Sequence, residues 1–226
     1  MPILKYVNKD FFKLWTPTMA YVLGFFAADG YMTLNKRGAY FWNIQITERE
    51  LLQMIKVVIN SHHKISVRKG NGREKELYRL QIGSKEMFND LQNLGFIPGK
   101  TYSMAVPSVP AKFFRDFVRG YFDGDGNVWV GYTHRNRCTR LLTLSSSFTS
   151  CSRAFLDELR CRLRLFGLIS GSVYTGKGKF FRLKYSVRSS MKLYDFMYNS
   201  PHLIPSRDLF LDRKKSVFER YLKMRP

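Results

Sequence analysis

Acidic residues are the scarce class in this chain: 17 Asp and Glu stand against 38 Lys and Arg, giving a formal net charge of +21 and a pI near 10.1. A surface so one-sided repels itself and calls for a polyanionic partner, with nucleic acid the first candidate. Cysteine is also scarce. Cys138, Cys151 and Cys161 are odd in number and lack C-x-x-C spacing, which argues against a disulfide framework or a zinc site and for a reducing, intracellular compartment. His62, His63, His134 and His202 show no metal-ligand spacing either. The longest apolar run, Ala20 to Ala28, is far too short to cross a bilayer, and the N-terminus has no signal-peptide pattern, so no membrane partner is expected.

What the chain has is enough apolar material, 45% of 226 residues with 15% aromatic, for one large domain or two fused halves. It also contains an internal duplication. The stretch Ala20 to Gly30 is repeated by Asp116 to Gly126: Gly24 matches Gly120, Ala28 matches Gly124, Asp29 matches Asp125 and Gly30 matches Gly126, all at one interval. Thr16-Pro17 before the first copy and Ser108 and Pro110 before the second are helix-start signals, and Gly30 and Gly126 stand where a C-cap glycine belongs. Two features in these helices break local rules. A glycine inside a helix costs roughly 1 kcal/mol relative to alanine, and a carboxylate in the last turn faces the negative end of the helix dipole. Both make sense if the helices pack face to face through Gly24, Ala28, Gly120 and Gly124. Asp29 and Asp125 then end side by side, where like charges call for a cation such as Mg²⁺ between them.

Around each copy the pattern repeats. Tyr31 to Leu34 and Tyr40 to Thr47 alternate as a hairpin, Thr47 is placed to cap a helix to about Asn60, a second hairpin carries Ile65 to Arg68 and Leu77 to Ile82, and Ser84 caps a short helix. In the second half the hairpins are Val128 to Tyr132 with Leu141 to Thr149, and Ile169 to Val187; a helix bearing Phe155 to Phe166 lies between them, and Ser189 or Ser190 starts the next. The interval between the copies grows by about nine residues, mostly in the first hairpin. The expected fold class is α+β, two pseudo-symmetric αββαββα repeats with antiparallel sheets. The first repeat spans residues 1–96, a Pro- and Gly-containing linker spans 97–110, and the second repeat spans 111–226 with a final amphipathic helix from about Ser206 to Lys223. The glycine-rich runs at Lys69 to Gly72 and Gly176 to Lys179 lack Walker spacing and lie between strands, so they read as hairpin turns.

The stretches Val22 to Gly30 and Val118 to Gly126, in matching contexts, resemble the two copies of the LAGLIDADG motif of single-chain homing endonucleases, and the resemblance covers nearly the whole chain. It implies motif helices at the repeat interface and two sheets forming a DNA-binding saddle. It also implies a divalent metal, Mg²⁺, held by Asp29 and Asp125 with the carbonyls of Ala28 and Gly124. Glu48 and Lys85 take the place of the family's outer active-site residues. Ser150 stands as the second-half counterpart of Glu48; that of Lys85 by offset is Ser190, which leaves Arg188, Lys192 or nothing in its role. The earlier acid of the motif is Ala27 in the first copy and Asp123 in the second, a departure at a position that is not a ligand in the family.

The outward positions of the alternating strands are Asn43, Gln45, Ser66, Arg68, Arg79 and Gln81, then Ser145, Ser147, Ser172, Tyr174, Arg182 and Lys184. These side chains can read base edges or grip phosphates, and acids are nearly absent among them. Lys36, Arg37, Arg73, Lys75, Arg135, Arg137, Lys177 and Lys179 lie at the hairpin tips. The expected protein is a monomeric, site-specific double-strand DNA endonuclease with no obligate protein partner, leaving staggered 3′ overhangs. Met1 and the lack of a splicing-type Cys or terminal His-Asn point to a free-standing protein rather than one embedded in an intein. The alternative is a non-cleaving binder such as an intron RNA maturase, with intron RNA as partner. A regulator on the same fold would carry a helix-turn-helix.

Overall fold

The computed structural model describes residues 5–70, 75–99, 102–133, 140–176, 178–199 and 209–225. The chain divides into two compact units, residues 1–100 with 107–121, and residues 101–106 with 122–226. Two of the boundaries fall within residues 97–110 and the third inside the second motif helix.

The first unit begins with α1 (Pro17–Asp29), started by Thr16, whose hydroxyl accepts from the Met19 N–H at 3.0 Å. β1 (Gly30–Leu34) and β2 (Tyr40–Ile46) form a hairpin, α2 (Arg49–Val58) follows, and β3 (Ile65–Arg68), β4 (Leu77–Gly83) and α3 (Lys85–Asn93) complete the repeat. Its sheet is antiparallel in the order β1-β2-β4-β3. One face buries Trp42, Ile44, Ile46, Leu80 and Ile82 beneath Leu51, Leu52, Ile55, Met87, Phe88 and Leu91 of the helices. The alternation read from the sequence is the register found.

The second unit repeats the plan after α4 (Phe114–Asp125), which a single 3₁₀ turn at Ala111–Phe113 introduces. β5 (Gly126–Thr133), β6 (Leu141–Ser150), α5 (Arg153–Leu165), β7 (Gly171–Thr175), β8 (Phe181–Tyr185) and α6 (Val187–Tyr198) follow, with sheet order β5-β6-β8-β7. A last helix, α7 (Asp212–Met224), turns Phe218 and Tyr221 inward, Phe218 meeting Phe122 at 5.9 Å between ring centroids.

Four local expectations are corrected. The cap of α2 is Glu48, not Thr47, and its side chain makes no cap bond; Thr47 donates instead to the Glu48 carboxylate at 2.8 Å. α6 is capped at Ser186, and Ser190 inside it is held by Ser146 (2.8 Å) and the Tyr185 carbonyl (3.2 Å). α7 starts at Asp212; residues 206–208 lie outside the described residues. Gly30 is no left-handed cap: it has φ −92° and is already the first residue of β1. A side chain at Gly30 or Gly126 would run into the ring of Phe26 or Phe122, so glycine is required there by packing.

Candidate active site and nucleic-acid interface

Within the first unit, α1 meets the first part of α4 through the two motif glycines. A Cβ on Gly24 would lie 2.9 Å from the Tyr121 nitrogen and closer still to the Phe117 carbonyl; one on Gly120 would lie 2.9 Å from the Phe25 nitrogen and closer to the Tyr21 carbonyl. Real Cβ atoms do not approach backbone so closely, so any side chain here drives the helices apart. Arg119 and Asp116 form a buried ion pair at 2.8 Å on α4, with the guanidinium over the Tyr21 ring. This ordering belongs to α4 alone, since the first copy has Leu23 and Ala20 at the matching positions.

α1 is buried from Met19 to Ala27 and then emerges: Ala28 and Asp29 are half-buried, and the next residue opens β1. The second copy behaves alike, Gly124 and Asp125 being half-buried just before β5. Each motif therefore delivers one partly accessible carboxylate, with a main-chain carbonyl beside it, to the start of its sheet. Among the described residues no group of three or more His, Cys, Asp or Glu is placed to hold a metal.

The foot of α4 carries a residue that the motif did not point to. Lys214 of α7 is buried, and its ammonium donates to the carbonyls of Phe122 (2.7 Å), Asp123 (2.7 Å) and Gly126 (2.6 Å), with that of Gly124 at 3.1 Å. The helix end thus carries a cation, the sign that the helix dipole favours there. Asp123, the motif's earlier acid, is buried and accepts from the Leu211 N–H at 2.9 Å, tying the start of α7 to the same turn. The sequence signal for Lys214 is its place on the buried stripe Lys214, Phe218, Tyr221 of α7, where an apolar residue is the norm.

The outer residues are placed as follows. Glu48 is half-buried at the junction of β2 and α2. Its positional counterpart, at the cap of α5, is Ser152 rather than Ser150. Ser152 is occupied with the Met104 carbonyl (2.7 Å) and the Phe155 N–H (3.2 Å), so the acid is not repeated. Lys85 is exposed at the first turn of α3, its ammonium 5.7 Å from the centre of the Tyr40 ring. Its neighbour Glu86 is held at a pKa of about 2, first by the Lys9 ammonium that donates to it at 2.9 Å. Arg188 is exposed, and Lys192 donates to the Gly167 carbonyl at 3.1 Å.

The sheet faces opposite the helices carry the polar set. Gln45, Arg79 and Ser66 share one register row, Asn43 and Gln81 the next, and Arg68 pairs with Leu77. In the second sheet Ser147, Lys184 and Ser172 form one row, Arg182 and Tyr174 another, and Ser145 pairs with Trp129. Among the described residues no strand contains Asp or Glu. Asn43 is fully buried, donating to Thr33 at 3.5 Å, and Ser147 is nearly so. Of the hairpin-tip cations, Arg73, Arg135, Arg137 and Lys177 lie outside the described residues, as do Asn71 and Gly72 of the first glycine-rich turn and Cys138.

Fold and site together define a duplicated α+β protein in which paired glycine-bearing helices carry acids to the starts of two sheets whose described strands hold no acid. Residues 16–94 and 113–197 match the family model of the LAGLIDADG-like domain, and the chain belongs to that family, with two repeats. Its fold is that of I-SmaMI solved bound to uncleaved DNA target in the presence of calcium ions (12% identity, TM-score 0.62, 93% of this chain and 90% of that chain). I-SmaMI bound to cleaved DNA (12%, 0.63, 93% and 89%) and I-AabMI bound to uncleaved DNA (14%, 0.60, 93% and 90%) share it.

Proposed function

We propose that this chain is a site-specific double-strand DNA endonuclease that uses a divalent metal, Mg²⁺, and acts as a single chain. The observation that carries the reading is the motif helix pair: Gly24 and Gly120 allow backbone contact, and each helix ends in an acid immediately before the first strand of a sheet whose described strands hold no acid. The relatives solved on DNA, cleaved and uncleaved, support it.

In this reading Asp29 and Asp125 hold the metal, with the carbonyl of Ala28 beside the first; the Gly124 carbonyl accepts from Lys214 at 3.1 Å and serves the metal only if it turns from that ammonium. The bound metal supplies charge stabilisation and an activated water at the scissile phosphates. Glu48 and Lys85 order water and offset charge around the first acid. Lys214 fixes the backbone on both sides of Asp125 and places a positive charge where phosphate charge develops. Gln45, Ser66, Arg68, Arg79, Gln81, Ser145, Ser172, Tyr174, Arg182 and Lys184 face the major groove, Asn43 and Ser147 bracing them. The two sheets carry different side chains, so the two half-sites differ. Cutting leaves staggered 3′ overhangs.

The test is to incubate the protein with a randomised duplex library and Mg²⁺ and to sequence both the retained duplexes and the new ends. One asymmetric motif in both sets is expected. A motif among retained duplexes with no new ends would replace this reading with the binding-only one, of the maturase kind. Two further results are expected. Affinity for the selected duplex falls by about 10³ or more from 50 to 200 mM salt if six to ten phosphates are gripped, as binding isotherms will show. Lys214→Met lowers stability by about 2–3 kcal/mol in urea unfolding. Well below its unfolding midpoint, the same variant cuts far more slowly than it binds.

A further inference from the structure

Past Ser146, the last β6 residue that pairs with β8, β5 and β6 continue as a two-stranded ribbon to Thr133 and Leu141. On its outer face stand Trp129 opposite Ser145, Gly131 opposite Thr143, and Thr133 opposite Leu141, with no charged group among them. Trp129 is 41% exposed. Its indole lies down along the strand over Gly131, where a Cβ would come within 2.6 Å of the ring. The result is a flat aromatic platform on the face that holds Arg182, Lys184 and Tyr174.

We propose that Trp129 is a specificity-determining residue that reads one thymine of the second half-site through its 5-methyl group. The inference rests on the reading of this face as the DNA-binding surface. A two-stranded ribbon fits the major groove, and the thymine methyl is the apolar feature that a base pair presents there. A large, uncharged ring among small hydroxyl side chains has no phosphate-gripping role; it has apolar area to bury. At the matching place in the first repeat stands Thr33, opposite Phe41, so the preference belongs to one half-site only.

The test uses the duplex recovered by library selection, binding measured in Ca²⁺, and single thymine-to-deoxyuridine replacements, which remove only the methyl. In the wild type one replacement in the second half-site weakens binding by about fourfold, the worth of one buried methyl. In Trp129→Ser that replacement has no effect, and Trp129→Phe restores part of it. Trp129 is at the surface, so these variants fold. Neutral replacements throughout the second half-site, or an effect that persists in Trp129→Ser, overturn the inference while leaving the endonuclease reading intact. Failure to recover any specifically bound duplex overturns both.

Discussion

Asp29→Asn and Asp125→Asn each abolish double-strand cleavage, lowering the rate by on the order of 10³ or more, while duplex binding stays at or slightly above the wild-type level. The substitution keeps the size of the side chain and removes its negative charge, so a hard divalent ion loses its anionic ligand at that helix end. Binding survives because the sheets carry it, and the described strands contain no acid that either substitution could alter. Removing a carboxylate near phosphates also relieves repulsion, which sets the sign of the small change in affinity. Cleavage time courses and gel-shift isotherms on one duplex separate the two effects. Wild-type cutting by either variant would remove that acid from the active site.

Gly24→Leu or Gly120→Leu costs about 3 kcal/mol or more in stability, at or beyond the upper end of ordinary overpacking, and Gly24→Ala acts in the same direction. The atoms that the new Cβ meets are backbone of the facing helix, Phe117 and Tyr121 in one case and Tyr21 and Phe25 in the other. Backbone cannot rotate out of the way as a side chain can, so the helices must separate and surrender the contacts of a fully buried segment. Phe25, Phe117, Tyr21 and Tyr121 are all 1% exposed or less. Urea unfolding measures the loss; wild-type midpoints in both leucine variants would contradict the packing described.

The repeat, the strand register and the sidedness of both sheets were legible in the sequence because each rests on a short-range pattern. Alternation in Trp42, Ile44 and Ile46 fixes which way Gln45 points, and Thr16 and Ser84 are hydroxyl caps three residues before the N–H they accept from. What was not legible depends on partners distant in sequence. Gly30 and Gly126 are glycine because of an aromatic ring four residues earlier in the folded helix, not because of a left-handed cap. Asp123 looked like a stray motif acid until α7 supplied the Leu211 N–H. Lys214 lies among other cations in the last helix, and only the turn of α7 against α4 brings its ammonium onto four carbonyls. The counterparts of Glu48 were misjudged because strand ends and helix caps, not residue spacing, define equivalence: Ser152 holds the cap in α5.

The central claim is that two motif acids on one chain act as a pair, one cut to each strand. Strand-resolved mapping of the ends formed on the selected duplex with Mg²⁺ tests it most directly. Breaks in both strands, offset to leave 3′ extensions and both absent when either Asp29 or Asp125 is asparagine, are the result expected. Duplexes that are bound but left intact, or cut in one strand only, would contradict it.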